Sequence, residues 1–333
     1  MSLLKVSDLR LGFKGSGADE IHLSSCDELN LLESHMVCLM GANGSGKSTL
    51  ISAISGAPTL EGKITIFGKD LDQYTKADLA QKIAFVYTDK IDVDYLKVSE
   101  LVELGRFPYQ RWSSKLSEDD KIIINKAIEA MELQPFLQRN LNTLSDGEKQ
   151  RAMIARAMAQ DPKILVLDEP TSYLDLPHKV RTLKLLRDWS RSEKKAVLLS
   201  THDLSLAMKI ADTIWLMTPD KKIVSGAPED LMLGGEIQKT FCTSDIRINP
   251  IDGQFELVQE QCININLQGI DCPWTKRALL RNGYGFGDLK NSNGMVLTVV
   301  DSDDRYEFKM RGELFRFKTL TDFIDYLRKN ANH

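Results

Sequence analysis

The sequence GANGSGKST, Gly41 to Thr49, fits the spacing GxxxxGK[ST] and lies between an apolar run, Met36 to Met40, and a stretch of helical periodicity. Strand, glycine-rich turn and helix in that order commit the chain to an α/β fold, because the spacing works only where a buried strand delivers the turn to a helix N-terminus. Gly41, Gly44 and Gly46 allow a tight turn, so that N–H groups along Ala42, Asn43 and Ser45 approach phosphate oxygens while the helix adds its partial positive charge. Lys47 reaches the β- and γ-phosphates as a point charge, Ser48 offers a hydroxyl to Mg2+, and Thr49 lies close to the same phosphates. A chance glycine-rich turn would not bring strand, loop, lysine and hydroxyl together. The loop is read as a grip on a nucleoside triphosphate.

The rest of the chain supplies the sheet. Apolar runs at 36–40, 83–87, 164–168 and 196–201 have the continuous hydrophobic character of strands covered on both faces, as in a parallel sheet. Amphipathic stretches separate them; from Lys179 to Trp189, Val180, Leu183, Leu186 and Trp189 recur at helical spacing. The segments LLKVSDLRLGF and GKITIFGKDL alternate instead, which predicts a small antiparallel β layer, and residues 98–140 have a mainly helical pattern. The run ILVLD ends in two adjacent carboxylates, Asp168 and Glu169, at the sheet edge where open α/β folds bind ligands. By itself the pair is a solvated strand end. Beside a phosphate loop, Asp168 suits the holding of Mg2+ through its water shell, and Glu169 the polarising of a water for attack on the γ-phosphate.

A chain of 333 residues has room for one large domain and a smaller one. With 42% hydrophobic and 27% charged residues it is not a disordered chain, and a formal charge of -4 offers no broad basic field to nucleic acid. The cysteines, Cys26, Cys38, Cys242, Cys262 and Cys272, form no CxxC pair and fit reduced thiols better than a zinc site or disulfide framework. No apolar run approaches the ~20 residues that span a bilayer, and the N-terminus lacks a signal-peptide core, so any membrane role is expected to be peripheral and cytoplasmic.

After residue 258 the pattern changes. CININL alternates Ile263, Ile265 and Leu267 with asparagines, and Tyr306, Phe308 and Met310 alternate with Glu307 and Lys309, which predicts two half-buried strands. A helix over 275–281 stops at Asn282 and Gly283, and a last helix carries Leu320, Phe323, Ile324 and Leu327. NGYGFGD reads as the helix stop followed by a loop, and Asp301 to Asp304 as a hairpin turn rather than a cation site. The expected organisation is a nucleotide-binding domain over 1–258, with a helical subdomain at about 98–160, and an appended α+β domain over 259–333 with no functional motif.

LSDGEKQR, Leu144 to Arg151, places Ser145 and Glu148 as a capping box ahead of a helix whose apolar stripe is Met153, Ile154, Ala157 and Met158. Capping alone accounts for that pair. The residues also resemble the signature of the ATP-binding cassette (ABC) family, and the order of motifs is similar to that of its nucleotide-binding subunits. The resemblance implies a P-loop NTPase fold of ABC type that hydrolyses Mg·ATP. It implies too that Ser145, Asp146, Gly147 and Glu148 form a signature turn presented in trans to a second copy, with Ser145 and Gly147 meeting the γ-phosphate held there, in a head-to-tail homodimer. SYLD resembles the D-loop, with Asp175, and His202 in STHD stands where the family places a γ-phosphate-contacting histidine. Phe13 matches the region in which the family stacks an aromatic ring on adenine. Two positions depart from the pattern. Asp146 replaces a glycine and is expected to point away from phosphate, and FVYTDK lacks a glutamine used to sense Mg2+, for which Thr88 or Asp89 offers oxygen ligands.

VSELVELGRFPYQRWSSKLSEDD and SGAPEDLMLGGEIQKTF resemble the iron-siderophore, haem and cobalamin branch of bacterial importers. That implies membrane permease subunits as partners, a substrate-binding protein acting through them, and a place on the cytoplasmic face of the cell membrane. Phe107, Tyr109 and Trp112 suit either permease docking or packing within the helical subdomain. The competing readings are a soluble non-transport ABC ATPase, such as an assembly scaffold, and a nucleotide sensor without turnover. A single cassette without coiled-coil insertion or basic arm disfavours repair and ribosomal types, Glu169 and His202 together disfavour the sensor, and the lack of an NKxD element excludes a small GTPase.

Overall fold

The computed structural model describes residues 2–14, 20–87, 95–109, 115–249, 255–258, 263–269, 273–286, 295–299, 306–310 and 312–330. The chain begins with two long strands, β1 (Ser2–Lys14) and β2 (Glu20–Leu32), paired antiparallel, and β1 pairs on its other side with β4 (Glu61–Ile66), which turns into the short β5 (Lys69–Asp70). This is the antiparallel layer that the alternating segments predict. Between β2 and β4 come β3 (Met36–Gly41) and α1 (Lys47–Ile54).

The central sheet continues with α2 (Lys76–Ala80), β6 (Ile83–Val86), the helical segment α3 (Val98–Glu103), α4 (Glu118–Ala130) and α5 (Asp146–Ala159), then β7 (Ile164–Leu167) and α6 (Leu176–Ser192). It ends with β8 (Ala196–Ser200), α7 (Leu204–Ile210), β9 (Thr213–Met217), β10 (Ile223–Gly226), α8 (Pro228–Leu233) and α9 (Glu236–Phe241). Strand order is β10-β9-β3-β8-β7-β6, parallel except for β10.

All six residues of β3 are buried, and the pleat divides them between two cores. Met36, Cys38 and Met40 face the cluster built by α3 to α9, while Val37 and Leu39 face the one that holds α1 and the antiparallel layer. Leu165 and Leu167 against Ile164 and Val166 in β7, and Val197 and Leu199 against Ala196 and Leu198 in β8, divide in the same way. Each fully buried aliphatic side chain contributes ~1.5–3 kcal/mol, so the strands that carry the phosphate loop and the carboxylates are firmly held.

The contacts divide the chain into two units: residues 1–242 with 248–255, and 243–247 with 256–333. A two-stranded sheet, β11 (Ile246–Ile248) with β12 (Phe255–Leu257), comes before the strands of the second unit. The second unit contains β13 (Ile263–Gly269), α10 (Pro273–Arg281), β14 (Tyr284–Phe286), β15 (Val296–Val299), β16 (Tyr306–Met310), β17 (Glu313–Phe317) and α11 (Leu320–Asn330). Its sheet order is β14-β13-β15-β16-β17, with an aromatic core in which the Phe308 and Phe323 rings are 5.1 Å apart and those of Phe315 and Tyr326 4.8 Å apart. The expected strand around Ile265 and the last helix are present. NGYGFGD is corrected: after the helix stop, Tyr284 to Phe286 form a strand parallel to β13, because the buried Tyr284 ring anchors them to this core. Asp301 to Asp304 lie outside the described residues, between strands that pair antiparallel.

Candidate nucleotide site

β3, β8 and β7 lie side by side and each releases the chain at its carboxyl end, into the phosphate loop, the Thr201–His202 turn and the Asp168–Glu169 pair respectively. A Cβ on Gly41 would come within 2.8 Å of both Met217 Cβ and Ser45 Oγ, so the loop cannot leave the strand by this path with any side chain there. Ser45 N–H donates to Ala42 O at 3.2 Å, and Ser24 Oγ, on β2, donates to Ser45 O at 2.9 Å, which ties the loop to the antiparallel layer. Ala42, Asn43, Gly44 and Ser48 are exposed and Thr49 is half-buried, whereas Gly46 is buried at the N-cap of α1.

Lys47 is 8% exposed, with Nζ donating to Gly41 O at 2.9 Å and Ala42 O at 3.0 Å. Burial pushes its pKa down, and the nearby Glu169 and Asp168 carboxylates oppose that shift. The ammonium thus lies under the loop with negative charge close by, which offsets part of the cost of its burial.

The carboxylate pair is held from β8. Ser200, fully buried, donates its hydroxyl to Asp168 Oδ1 at 2.6 Å and accepts the Glu169 backbone N–H at 2.8 Å. Glu169 has φ of 45°, a left-handed conformation that costs on the order of 1–3 kcal/mol in a residue other than glycine and persists only where its surroundings impose it. Ser172 Oγ donates to Glu169 Oε2 at 2.6 Å, and His202 Nδ1 lies 3.7 Å from the same oxygen. Phe13 is 54% exposed near the end of β1, paired with Ile21 in backbone register, so its ring is no core filler and has an open face. Thr88, Asp89 and Trp112 lie outside the described residues. Phe107 and Tyr109 are both exposed, and Tyr109 also makes local contacts, with Arg106 over its ring and its hydroxyl donating to Gln160 O at 3.1 Å.

A second grouping forms at the N-termini of α5 and α6. Ser145 Oγ accepts the Glu148 N–H at 3.3 Å and the Ser145 N–H donates to Glu148 Oε2 at 2.8 Å, completing the expected capping box. Burial raises the Glu148 pKa, but the Ser145 bonds, with Arg139 and Arg151, hold it below the ordinary value. Asp146 is exposed in the first turn, where the helix dipole favours it. Gly147 is buried: a Cβ there would lie 2.9 Å from His178 Cδ2. Asp175 caps α6 by accepting the His178 N–H at 3.1 Å, and its Oδ1 is 2.5 Å from His178 Nδ1, contacts that depress its pKa.

Ser24, Ser172, Ser200 and His178 are the residues that sequence reading missed. Ser172 and His178 each stand three positions after a carboxylate they touch, a local signal. Ser24 and Ser200 act across the fold and leave none.

Residues 27–172 match the ABC transporter family, and residues 261–328 match the iron ABC transporter C-terminal domain, so the appended unit has a family of its own. An ABC transporter ATP-binding protein of Methanocaldococcus jannaschii is 35% identical over 69% of this chain and 79% of its own length. The achromobactin transport ATP-binding protein of Dickeya dadantii is 32% identical over 75% of this chain and 91% of its own. A solved dimeric ATP-binding cassette, in a post-hydrolysis state with ADP and phosphate bound, superposes with a TM-score of 0.57 at 27% identity, over 68% of this chain and 98% of that one. No helix among the described residues is long and apolar enough to cross a membrane. With strand-end loop, carboxylate pair and capped signature turn all in this arrangement, the chain belongs to the ATP-binding, ATP-hydrolysing subunits of ABC transporters.

Proposed function

We propose that this protein is the ATPase of an importer for an iron-siderophore, haem or cobalamin-type chelate, working as a homodimer on the cytoplasmic face of membrane permease subunits fed by a substrate-binding protein. The observation that carries the catalytic part is the meeting of Lys47, Asp168, Glu169 and His202 at the ends of three adjacent strands. The chelate class is supported by the iron-transporter C-terminal domain match and by the achromobactin transporter among the relatives.

In this reading the loop N–H groups of residues 42–49 and the Lys47 ammonium hold the β- and γ-phosphates, and Phe13 stacks on the base. Glu169 Oε accepts a proton from the attacking water as the new P–O bond forms and the bond to the ADP oxygen breaks, while His202 hydrogen-bonds the γ-phosphate. Ser48 and Asp168 offer two hard oxygen ligands, and no group of three or more His, Cys, Asp or Glu side chains stands ready for a metal among the described residues. That donor set fits Mg2+, which the Ser48 hydroxyl and, through water, the Asp168 carboxylate would hold, and which would supply charge neutralisation. Ser145, Gly147 and the N-terminus of α5 serve the γ-phosphate of the other copy, with Asp175 alongside.

The test is phosphate release in vesicles that contain the permease, with a chelate-loaded or empty binding protein. A several-fold stimulation by the loaded protein is expected. A rate indifferent to permease and chelate would point to the soluble ATPase, and a wild-type protein as inert as Glu169→Gln to the nucleotide sensor.

A further inference from the structure

The two elements given above to the partner's nucleotide, the signature turn and the D-loop, come from different helices of one chain, and a single side chain joins them. His178 stands one turn into α6. Its Nδ1 and backbone N–H both address Asp175 Oδ1, at 2.5 and 3.1 Å, while the opposite edge of the ring closes on Gly147, with Cδ2 2.9 Å and Cγ 3.2 Å from where a Cβ would stand. A side chain there would push the ring from this position, so Gly147 has a packing reason in addition to any phosphate contact. One turn further along both helices is a second rung: Glu132 Oε2 accepts from Arg181 Nε of α6 at 2.6 Å and from Arg151 Nη1 of α5 at 3.3 Å. Arg151 is nearly buried, at 9% exposed, while Glu132 is half-buried and Arg181 exposed, so the rung is anchored on the α5 side.

We propose that His178 is a positioning residue that latches the D-loop to the signature turn of its own subunit, so that the two move as one body when the partner's nucleotide binds. The inference rests on the dimer reading above. Without the latch, α5 and α6 remain joined at the Glu132 rung, but the signature turn and Asp175 respond to the partner independently. ATP bound at one site then no longer organises the other as effectively, and coupling between sites falls before binding at either one does.

The experiment measures phosphate release against ATP concentration for the full chain and for His178→Ala and His178→Asn. Asn keeps an N–H for Asp175 but lacks the ring edge that reaches Gly147, and it serves as the decisive variant should Ala fold poorly. The wild type is expected to show a Hill coefficient between ~1.5 and the two-site limit of ~2. His178→Ala is expected to bring it to ~1 and to lower kcat about tenfold, with nucleotide affinity at low protein concentration and the melting temperature unchanged. Asn is expected to fall between the two. Wild-type cooperativity and kcat retained in both variants would overturn the latch alone; a wild-type Hill coefficient of ~1, with no ATP-dependent dimer, would overturn the two-site reading and the latch with it.

Discussion

The phosphate-loop half of the cassette and its signature half are built by different means. Lys47 and Ser200 are buried; Ser200 on β8 holds the carboxylate pair after β7, and Ser24 on β2 ties the phosphate loop to the antiparallel layer. Ser145 and Asp175 are exposed and held by bonds to residues three positions away, and Asp146 is exposed in the first turn of α5. The first half takes its geometry from the core and is braced without a ligand. The second takes much of its geometry from helix caps worth ~1 kcal/mol each, with His178 and Glu132 among the residues that brace it. On the reading proposed here, a rigid grip in one copy meets a more pliable lid from the other, and closure of the lid is the step open to control.

The sharpest break of this contrast is Glu169→Gln. It is expected to lower kcat by ~10²–10⁴ while leaving ATP bound, because the water loses its base and the phosphates keep their cradle; single-turnover phosphate release with a filter-binding control separates the two effects. Ser200→Ala acts on the core-braced half without touching nucleotide. Loss of the hydroxyl leaves the Glu169 N–H and one Asp168 oxygen without their partner, which is expected to cost ~1–3 kcal/mol in denaturant unfolding. It is also expected to lower kcat at least tenfold with KM nearly unchanged; an unchanged kcat would mean that Glu169 holds its left-handed backbone without help. On the signature side, Ser145→Ala is expected to cost only ~1 kcal/mol of stability, yet to lower kcat, with nucleotide affinity measured on monomers unaltered. Equal losses in both quantities would erase the distinction between grip and lid. The smallest effect is at Phe13: removal of the ring in Phe13→Ala is expected to weaken ATP binding about fivefold, the equivalent of ~1 kcal/mol of stacking, as read by calorimetry.

These residues also differ in how far the sequence announced them. The phosphate loop and the ILVLDEP strand end were legible because each is a local pattern whose chemistry depends on neighbours in the chain. The Ser145–Glu148 cap was legible for the same reason, as an i, i+3 pair. Ser200 was not, since its partners are 31 and 32 positions away and depend on β7 and β8 lying side by side. His178 touches Asp175 locally, but its reason for being there is Gly147, on another helix. In the second unit the strands around Ile265 and Phe308 showed their period of two, whereas Tyr284 to Phe286 are too few to display one and are recruited by the Tyr284 ring. The antiparallel layer was visible in outline, but not the 13-residue length of β1 and β2, because register shifts interrupt their pairing.

The central claim is that two copies close on ATP, each completing the site of the other. Light scattering on Glu169→Gln, with and without saturating Mg·ATP and with Ser145→Arg in the same background as a control, tests it most directly. The account predicts a twofold rise in mass on adding Mg·ATP, abolished by the bulky cation at the signature turn. A mass that stays that of one chain, with ATP shown to be bound, would contradict it.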